Sequence, residues 1–366
     1  MFTLMVPTTV SQINKKVEWF NNEHAKELEE KGVEFGFQII VPEDGNLSGL
    51  PQDFSLPFGF HLPHFLSGWY RHHEINKFQR IVESVTKYRK HRFAVLHGMS
   101  VDKDRRKYNQ ENTENENNFI CSFSAKDWLN CFYQQASCIK ELMQNGVKVA
   151  FESVSPSTFT VKNGNLYPHT YLDLRIGSTI KDLTAIQKET GCDLVIDEEH
   201  LRFALNYIFR YKNYLNVPIQ FLSDMSQEEN RVLEISGFFV RQGAVLRSYL
   251  NDRYHHFMDE RTVIETEWEK QYNRQAKVFH LCGFENGDKL EYSGGKVTSH
   301  SPIMGDDDLF LAEFRKIVQT NKDNDCNLVL EVSNSYESTF FSDRPYNSQE
   351  ISFYNVCKML ISCLEN

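Results

Sequence analysis

An α/β fold, a closed (β/α)8 barrel of the TIM type, is what this sequence predicts, and three observations predict it. Eight short apolar, β-branched or aromatic runs are spread along the 366 residues. Amphipathic stretches with helical spacing lie between most of them. Gly32, Gly146 and Gly191 stand just before strand-like runs, where a helix end calls for a left-handed residue. Alternating strands and helices argue a parallel sheet, and eight strands argue its closure.

The first run is Phe2–Val6, followed by a charged amphipathic stretch over Ser11–Glu30 that reads as a helix. Glu34–Val41 and Phe58–Leu62 are the second and third strands, and Ile75–Arg89 is the next helix. Phe93–His97 is the fourth strand. The helix Lys126–Gln144 leads into the fifth strand, Lys148–Ser153, and Ile180–Thr190 leads into the sixth, Asp193–Asp197. Lys277–Cys282 is the seventh strand, Leu309–Val318 a helix, Asn327–Val332 the eighth strand and Gln349–Leu364 a closing helix.

Two segments break the rhythm. Residues 103–118 are polar and of low complexity, the pattern of a mobile loop. Residues 201–275, between strands six and seven, are too long for one crossover and carry helical patterns over Gln227–Leu250 and Arg261–Gln271. They read as a helical insertion or lid within a single barrel spanning 1–366, offering a surface for a second copy or another partner.

Composition narrows the function classes. With 40% hydrophobic residues, 28 Phe and 16 Tyr, the chain can bury a core and is not disordered. No apolar run approaches the roughly 18–20 residues of a membrane span, and no basic-then-apolar leader opens the chain. A net charge of −10 argues against indiscriminate nucleic-acid binding. The eight cysteines contain no C-x-x-C pair and read as buried thiols, which points to the cytoplasm, with the nucleus as the alternative.

Catalytic groups of such a barrel sit at the C-terminal ends of its strands. Six consecutive strands end in a His or a carboxylate: His61 with His64 beyond it, His97, Glu152, Asp197 followed by His200, His280, and Glu331. These are the residue types that bind zinc, manganese or iron. A lone strand-end His is usually a packing residue, and a lone Glu often just starts a loop. Their coincidence is harder to dismiss, because carboxylates among apolar residues cost several kcal/mol each if buried without a partner. One cation satisfies Glu152, Asp197 and Glu331 together.

The order of these motifs resembles the xylose-isomerase-like TIM-barrel superfamily, which holds the endonuclease IV type of apurinic-site nucleases together with sugar isomerases and epimerases. The resemblance covers most of the chain except 201–275. It rests on His61-Leu62-Pro63, His97-Gly98-Met99-Ser100, Glu152-Ser153-Val154, Asp197-Glu198-Glu199-His200, His280-Leu281, the segment from Thr298 through His300 to Gly305, and Glu331. It implies a core metal site of Glu152, Asp197, His280 and Glu331. His61 and His97 would bind a second ion bridged by Glu152, and His200 and His300 a third. The nuclease pattern has Asp where Thr298 stands, and Thr is a poor ligand. His64 stands where those nucleases place a Tyr that packs into DNA.

Two reactions fit two or three divalent ions, with zinc favoured over manganese or iron. One is phosphodiester hydrolysis, with Glu152 bridging metals and Glu331 orienting water. The other is isomerisation or epimerisation of a sugar or sugar phosphate, with Glu152 and Glu331 shuttling a proton. The second needs only the four-residue core, so His61 and His97 together favour the first. A binding scaffold without catalysis is a third reading, and it predicts lost ligands.

Arg105 and Arg106, with Lys103 and Lys107, follow strand four on the catalytic side and suit a phosphate-bearing substrate such as damaged DNA or a sugar phosphate. Trp69 and Tyr70, beside Arg71, could stack on a base or sugar, or equally cap the barrel.

Overall fold

The computed structural model describes residues 1–17, 25–99, 125–153, 159–162, 165–168, 176–177, 180–197, 200, 276–283, 303, 305, 308–332, 337–338 and 346–365. Its strands are β1 (Phe2–Thr8), β2 (Val33–Ile40), β3 (Phe58–His61), β4 (Ala94–Leu96), β5 (Val149–Glu152), β6 (Phe159–Lys162), β7 (Asn165–Pro168), β8 (Asp193–Asp197), β9 (Ala276–Leu281), β10 (Cys326–Leu330), β11 (Glu337–Ser338) and β12 (Tyr346–Asn347). Eight of them close a barrel in the order β1-β10-β9-β8-β5-β4-β3-β2. Every pairing around the ring is parallel. The eight expected runs are these eight strands. Two small antiparallel hairpins, β6-β7 and β11-β12, were not expected.

The described helices are α1 (Ala25–Glu30), α2 (Leu66–Arg71), α3 (Ile75–Thr86), α4 (Ala125–Gln144), α5 (Ile180–Thr190), α6 (Asp308–Asn321) and α7 (Ser348–Glu365). The stretch expected as one helix over Ser11–Glu30 begins with a 3-10 turn at Val10–Gln12, and α1 forms its last turns. In α3 the buried residues are Phe78, Ile81, Val82 and Val85, the spacing of one helical face. This helix ends at Thr86, short of Arg89, because the chain turns to place the Tyr88 hydroxyl on the carbonyls of Leu47 and Leu50. Helix α2 was missed. Local pattern does not announce it; Leu66, Ser67 and Trp69 bury one side of it. The insertion over 201–275 and the polar loop over 103–118 lie outside the described residues.

Side-chain alternation sorts the barrel into two apolar regions. Leu4, Val6, Phe35, Phe37, Phe58, Phe60, Leu96, Phe151, Leu194, Ile196, Phe279, Leu328 and Leu330 belong to the layer between strands and helices. Much of the Phe content is spent here, in edge-on pairs such as Phe35 with Phe37 at 5.0 Å and Phe58 with Phe60 at 5.5 Å. The alternate positions face inward. Met5, Phe93, Val95, Ala150, Val195, Val278 and Val329 form a separate interior cluster. Gly59 makes room for it, since a Cβ there would meet the Phe93 ring at 2.5 Å. Below this layer Arg92 closes the N-terminal end, donating to Thr3 Oγ1 and to Glu34 Oε2, each at 2.5 Å.

The seven described cysteines are thiols, and burial pushes Cys131 and Cys192 up to about 12 and 11. Among the described residues no helix is long and apolar enough to cross a membrane.

His91 pins one corner of the barrel as a neutral ring. Its Nδ1–H donates to the Tyr88 carbonyl at 2.7 Å, and its Nε2 accepts the Lys148 amide at 3.1 Å. Burial, chiefly, holds its pKa below 6.5. The sign follows: the stabilisation is complete above the unfolded pKa near 6.5 and is lost as pH falls from there through the lowered folded value. His91→Gln keeps a donor and an acceptor but cannot titrate. Between pH 7 and 5 the variant should lose less stability in urea than the parent. Equal losses would show that His91 contributes nothing to acid sensitivity.

Candidate metal centre

The interior apolar layer is the floor of the site. On five strands the ligand-type residue stands two positions beyond an inward apolar residue: Val95 to His97, Ala150 to Glu152, Val195 to Asp197, Val278 to His280 and Val329 to Glu331. On β3 the step is Gly59 to His61. A period of two keeps both members of each step on the same face. The six side chains therefore meet at the C-terminal mouth, where the barrel mode of assembly places chemistry.

Glu152 is the hub, and it has no exposed surface. Its two oxygens face different neighbours. Oε2 lies 2.5 Å from His97 Nε2 and 3.8 Å from His61 Nε2. Oε1 lies 3.0 Å from His280 Nδ1 and 3.7 Å from His200 Nδ1. Asp197 Oδ2 is 3.9 Å from His280 Nδ1, which also contacts Glu331. Two groups of donors result, His61–His97–Glu152 and Glu152–Asp197–His280–Glu331, each with its atoms within 4.8 Å of one another. Glu152 is common to both.

The outer nitrogens of His61, His97 and His280 are anchored, which turns their inner nitrogens towards the carboxylates, whereas His200 uses Nδ1 for both, 3.3 Å from Asp197 Oδ2. His61 Nδ1–H donates to the Leu62 carbonyl at 3.0 Å. His200 Nδ1–H donates to the Ser153 carbonyl at 2.8 Å. His97 Nδ1 meets His64 Nδ1 at 2.8 Å. His280 Nε2 meets the side-chain amide of Gln38 at 2.8 Å. The strand ends are tied together as well. The Asp197 amide donates to Ser153 Oγ at 2.8 Å, and the His200 amide donates to Asp197 Oδ1 at 2.9 Å. Ser67 Oγ donates to the His97 carbonyl at 2.8 Å, and Gln135 Nε2 donates to Ser67 Oγ at 3.3 Å.

Electrostatics show what such packing costs without a cation. Burial pushes the Glu152 carboxyl up, yet His97 and His280 together hold it well below the usual carboxylate range. Burial likewise disfavours a charged His280, but Glu331 and then Glu152 outweigh it and raise its pKa well above 6.5. His61 goes the other way, lowered to about 4 by burial and by His97. Despite the close approaches, both Glu152 oxygens, Nε2 of His61 and of His97, and Nδ1 of His280 are buried without an aligned hydrogen-bond partner among the described residues. Orphaned buried nitrogen and carboxylate atoms converging on one point fit a divalent cation, which each can ligate without a proton.

The remaining expected residues are placed differently. His64 is surface-exposed by area, but its ring centroid packs 4.2 Å from that of His97, so it stands behind a metal-ligand candidate. Trp69 belongs to the apolar core with Lys77 over its ring at 5.5 Å, and the Tyr70 ring packs on Phe78 at 5.1 Å. Arg105, Arg106, Thr298 and His300 lie outside the described residues. Sequence reasoning missed Gln38, Ser67, Gln135 and the positioning part of Ser153. Only Gln38 carried a signal, since it shares the inward phase of β2.

No protein-family model and no curated protein sequence matches the chain. Solved structures do resemble it along nearly its whole length. A D-tagatose 3-epimerase-like protein is 11% identical, with a TM-score of 0.48, covering 99% of this chain and 98% of that one. An L-ribulose 3-epimerase is 10% identical, with a TM-score of 0.46, covering 100% and 96%. Endonuclease IV from Thermus thermophilus is 12% identical, with a TM-score of 0.40, covering 99% and 98%. These are likenesses of overall shape, and the case for the site stands on the distances above.

Gly98 ties the His97 turn to the rest of the mouth. A Cβ there would lie 1.6 Å from the Ile176 carbonyl oxygen, while the Ile176 amide donates to the Met99 carbonyl at 3.0 Å. Gly98→Ala should cost roughly 3 kcal/mol or more in a urea titration. A variant as stable as the parent would rule out this close approach.

Proposed function

We propose that the chain is a divalent-metal-dependent phosphodiester hydrolase of the endonuclease IV kind, in which Glu152 would help to hold two ions. The observation that carries this is the split of one buried carboxylate, with Oε2 turned to His61 and His97 and Oε1 to His280 and His200. A buried carboxylate with nitrogen donors beside each oxygen could serve two ions at once, which supports a two-ion reading. Zinc suits the mixed nitrogen and oxygen donors, with manganese or iron as the other candidates.

His61, His97 and Glu152 would hold one ion, and Glu152, Asp197, His280 and Glu331 the other. His200, with His300, would contribute to a third. When bound, such ions gather a phosphate, lower the pKa of a water and neutralise the leaving oxygen. The protein supplies the rest. Glu331 is the most open of the three carboxylates, with 22% of its side chain exposed, and would orient the attacking water and take its proton. Asp197, capped by the His200 amide, keeps Oδ2 turned inward. The apolar floor beneath excludes bulk water, which strengthens each of these interactions. Arg105 and Arg106 are proposed to meet the substrate phosphates.

One observation favours a second reading, a sugar or sugar phosphate isomerase or epimerase. Glu152, Asp197, His280 and Glu331 form a complete donor group without His61 and His97.

Metal analysis of protein grown with ample zinc and manganese, joined to a nicking assay on DNA with an abasic site, separates the two. Two or more ions per chain with nicking supports the hydrolase. One ion, no nicking and turnover of a ketose supports the isomerase. Protein without any tightly held ion would sink both. Glu152→Gln should retain its circular dichroism spectrum and lose activity by on the order of a thousandfold. Unchanged turnover would remove Glu152 from the site.

A further inference from the structure

The four anchored rings differ in what anchors them. His61 donates to the Leu62 carbonyl just beyond its own strand, and His200 to the Ser153 carbonyl just beyond β5. His97 leans on another imidazole, that of His64. His280 lies inside β9, one residue before its end, and its outer nitrogen faces the barrel interior. Carbonyls of parallel strands there serve the sheet ladder. The partner comes from the far side of the ring. Gln38 of β2, separated from β9 by β1 and β10, reaches across to place its amide 2.8 Å from His280 Nε2. It is 1% exposed, and its inward neighbour on the same strand, Gly36, has no side chain.

We infer that Gln38 is a positioning residue for the metal centre: its amide sets the orientation of His280, presenting Nδ1 to Glu152, Asp197 and Glu331. This inference rests on the metal-centre reading above. The geometry shows the amide NH2 turned to Nε2, an arrangement in which the ring nitrogen accepts. A half-turn of the amide presents Oε1, which accepts Nε2–H and leaves Nδ1 as a lone-pair donor, the form a metal ligand must take. A backbone carbonyl can only accept. The side-chain amide lets His280 hold one orientation with either nitrogen protonated. Gln38 thus acts on the group Glu152–Asp197–His280–Glu331 and leaves His61 and His97 alone.

The test compares the parent, Gln38→Leu and Gln38→Glu, each stripped of metal and titrated with zinc against a chromophoric chelator. Cobalt(II) replaces zinc in a parallel titration read by visible absorption. Outer partners of ligating histidines typically contribute 10- to 100-fold in affinity. Gln38→Leu should weaken one binding step by about that factor, leave the other step unchanged and shift the cobalt bands. Gln38→Glu, which can accept Nε2–H, should recover most of the lost affinity. Melting of the metal-free proteins checks that the leucine variant folds, so an affinity loss is not a folding loss. Parent-like zinc affinity and cobalt bands in Gln38→Leu would overturn the inference, as would a loss spread equally over both steps or a glutamate variant as weak as the leucine one. A parent that binds no zinc or cobalt would overturn the metal-centre reading itself, and the same titration reports it.

Discussion

A carboxylate with no exposed surface sits at the centre of this barrel, and the rest of the mouth is arranged around it. Glu152 lies in a layer bounded below by Val95, Ala150, Val195, Val278 and Val329. An ionised carboxylate there loses its hydration and must recover that energy from close positive charge or metal coordination. His97 and His280 do this in part, one at each oxygen. Among the described residues no aligned donor satisfies either oxygen, an arrangement that would fit a cation.

That demand propagates outward in shells. The inner nitrogens of His61, His97 and His280 can serve the carboxylates only if the outer ones are held, so Leu62, His64 and Gln38 each bear on one ring, while Ser153 holds His200. Those partners are themselves placed by the fold. Ser153 cross-links the ends of β5 and β8 through Asp197, and Ser67 and Gln135 brace the His97 turn from α2 and α4. Gly98 admits the Ile176 backbone at a distance no Cβ would allow. The supports of the centre are short hydrogen bonds drawn from several elements.

The barrel supplies the register. Parallel pairing brings Glu152 beside Val195 and Asp197 beside His280, so residues at the same height on adjacent strands become neighbours. The opposite end is closed by Arg92, Glu34 and Thr3, a polar plug with no part in the centre. Chemistry and closure are thus separated along the barrel axis.

Alternation along the chain determined most of this. A strand residue's face depends on its own position, so eight strands and the ligand-type residue two steps past each core residue could be read without coordinates. His61, His97, Glu152, Asp197, His280 and Glu331 were legible for that reason. What joins them was not. Gln38 and His280 are 242 positions apart, and whether an inward amide reaches a particular ring depends on barrel closure and strand tilt. Helix α2 and the brace from Gln135 to Ser67 likewise exist through contacts between distant segments. The same holds for His64, read as a substrate contact and found against His97. The sequence determined which side chains point inward; only the closed tertiary structure decided which of them touch, because touching depends on where separate strands are brought together in space.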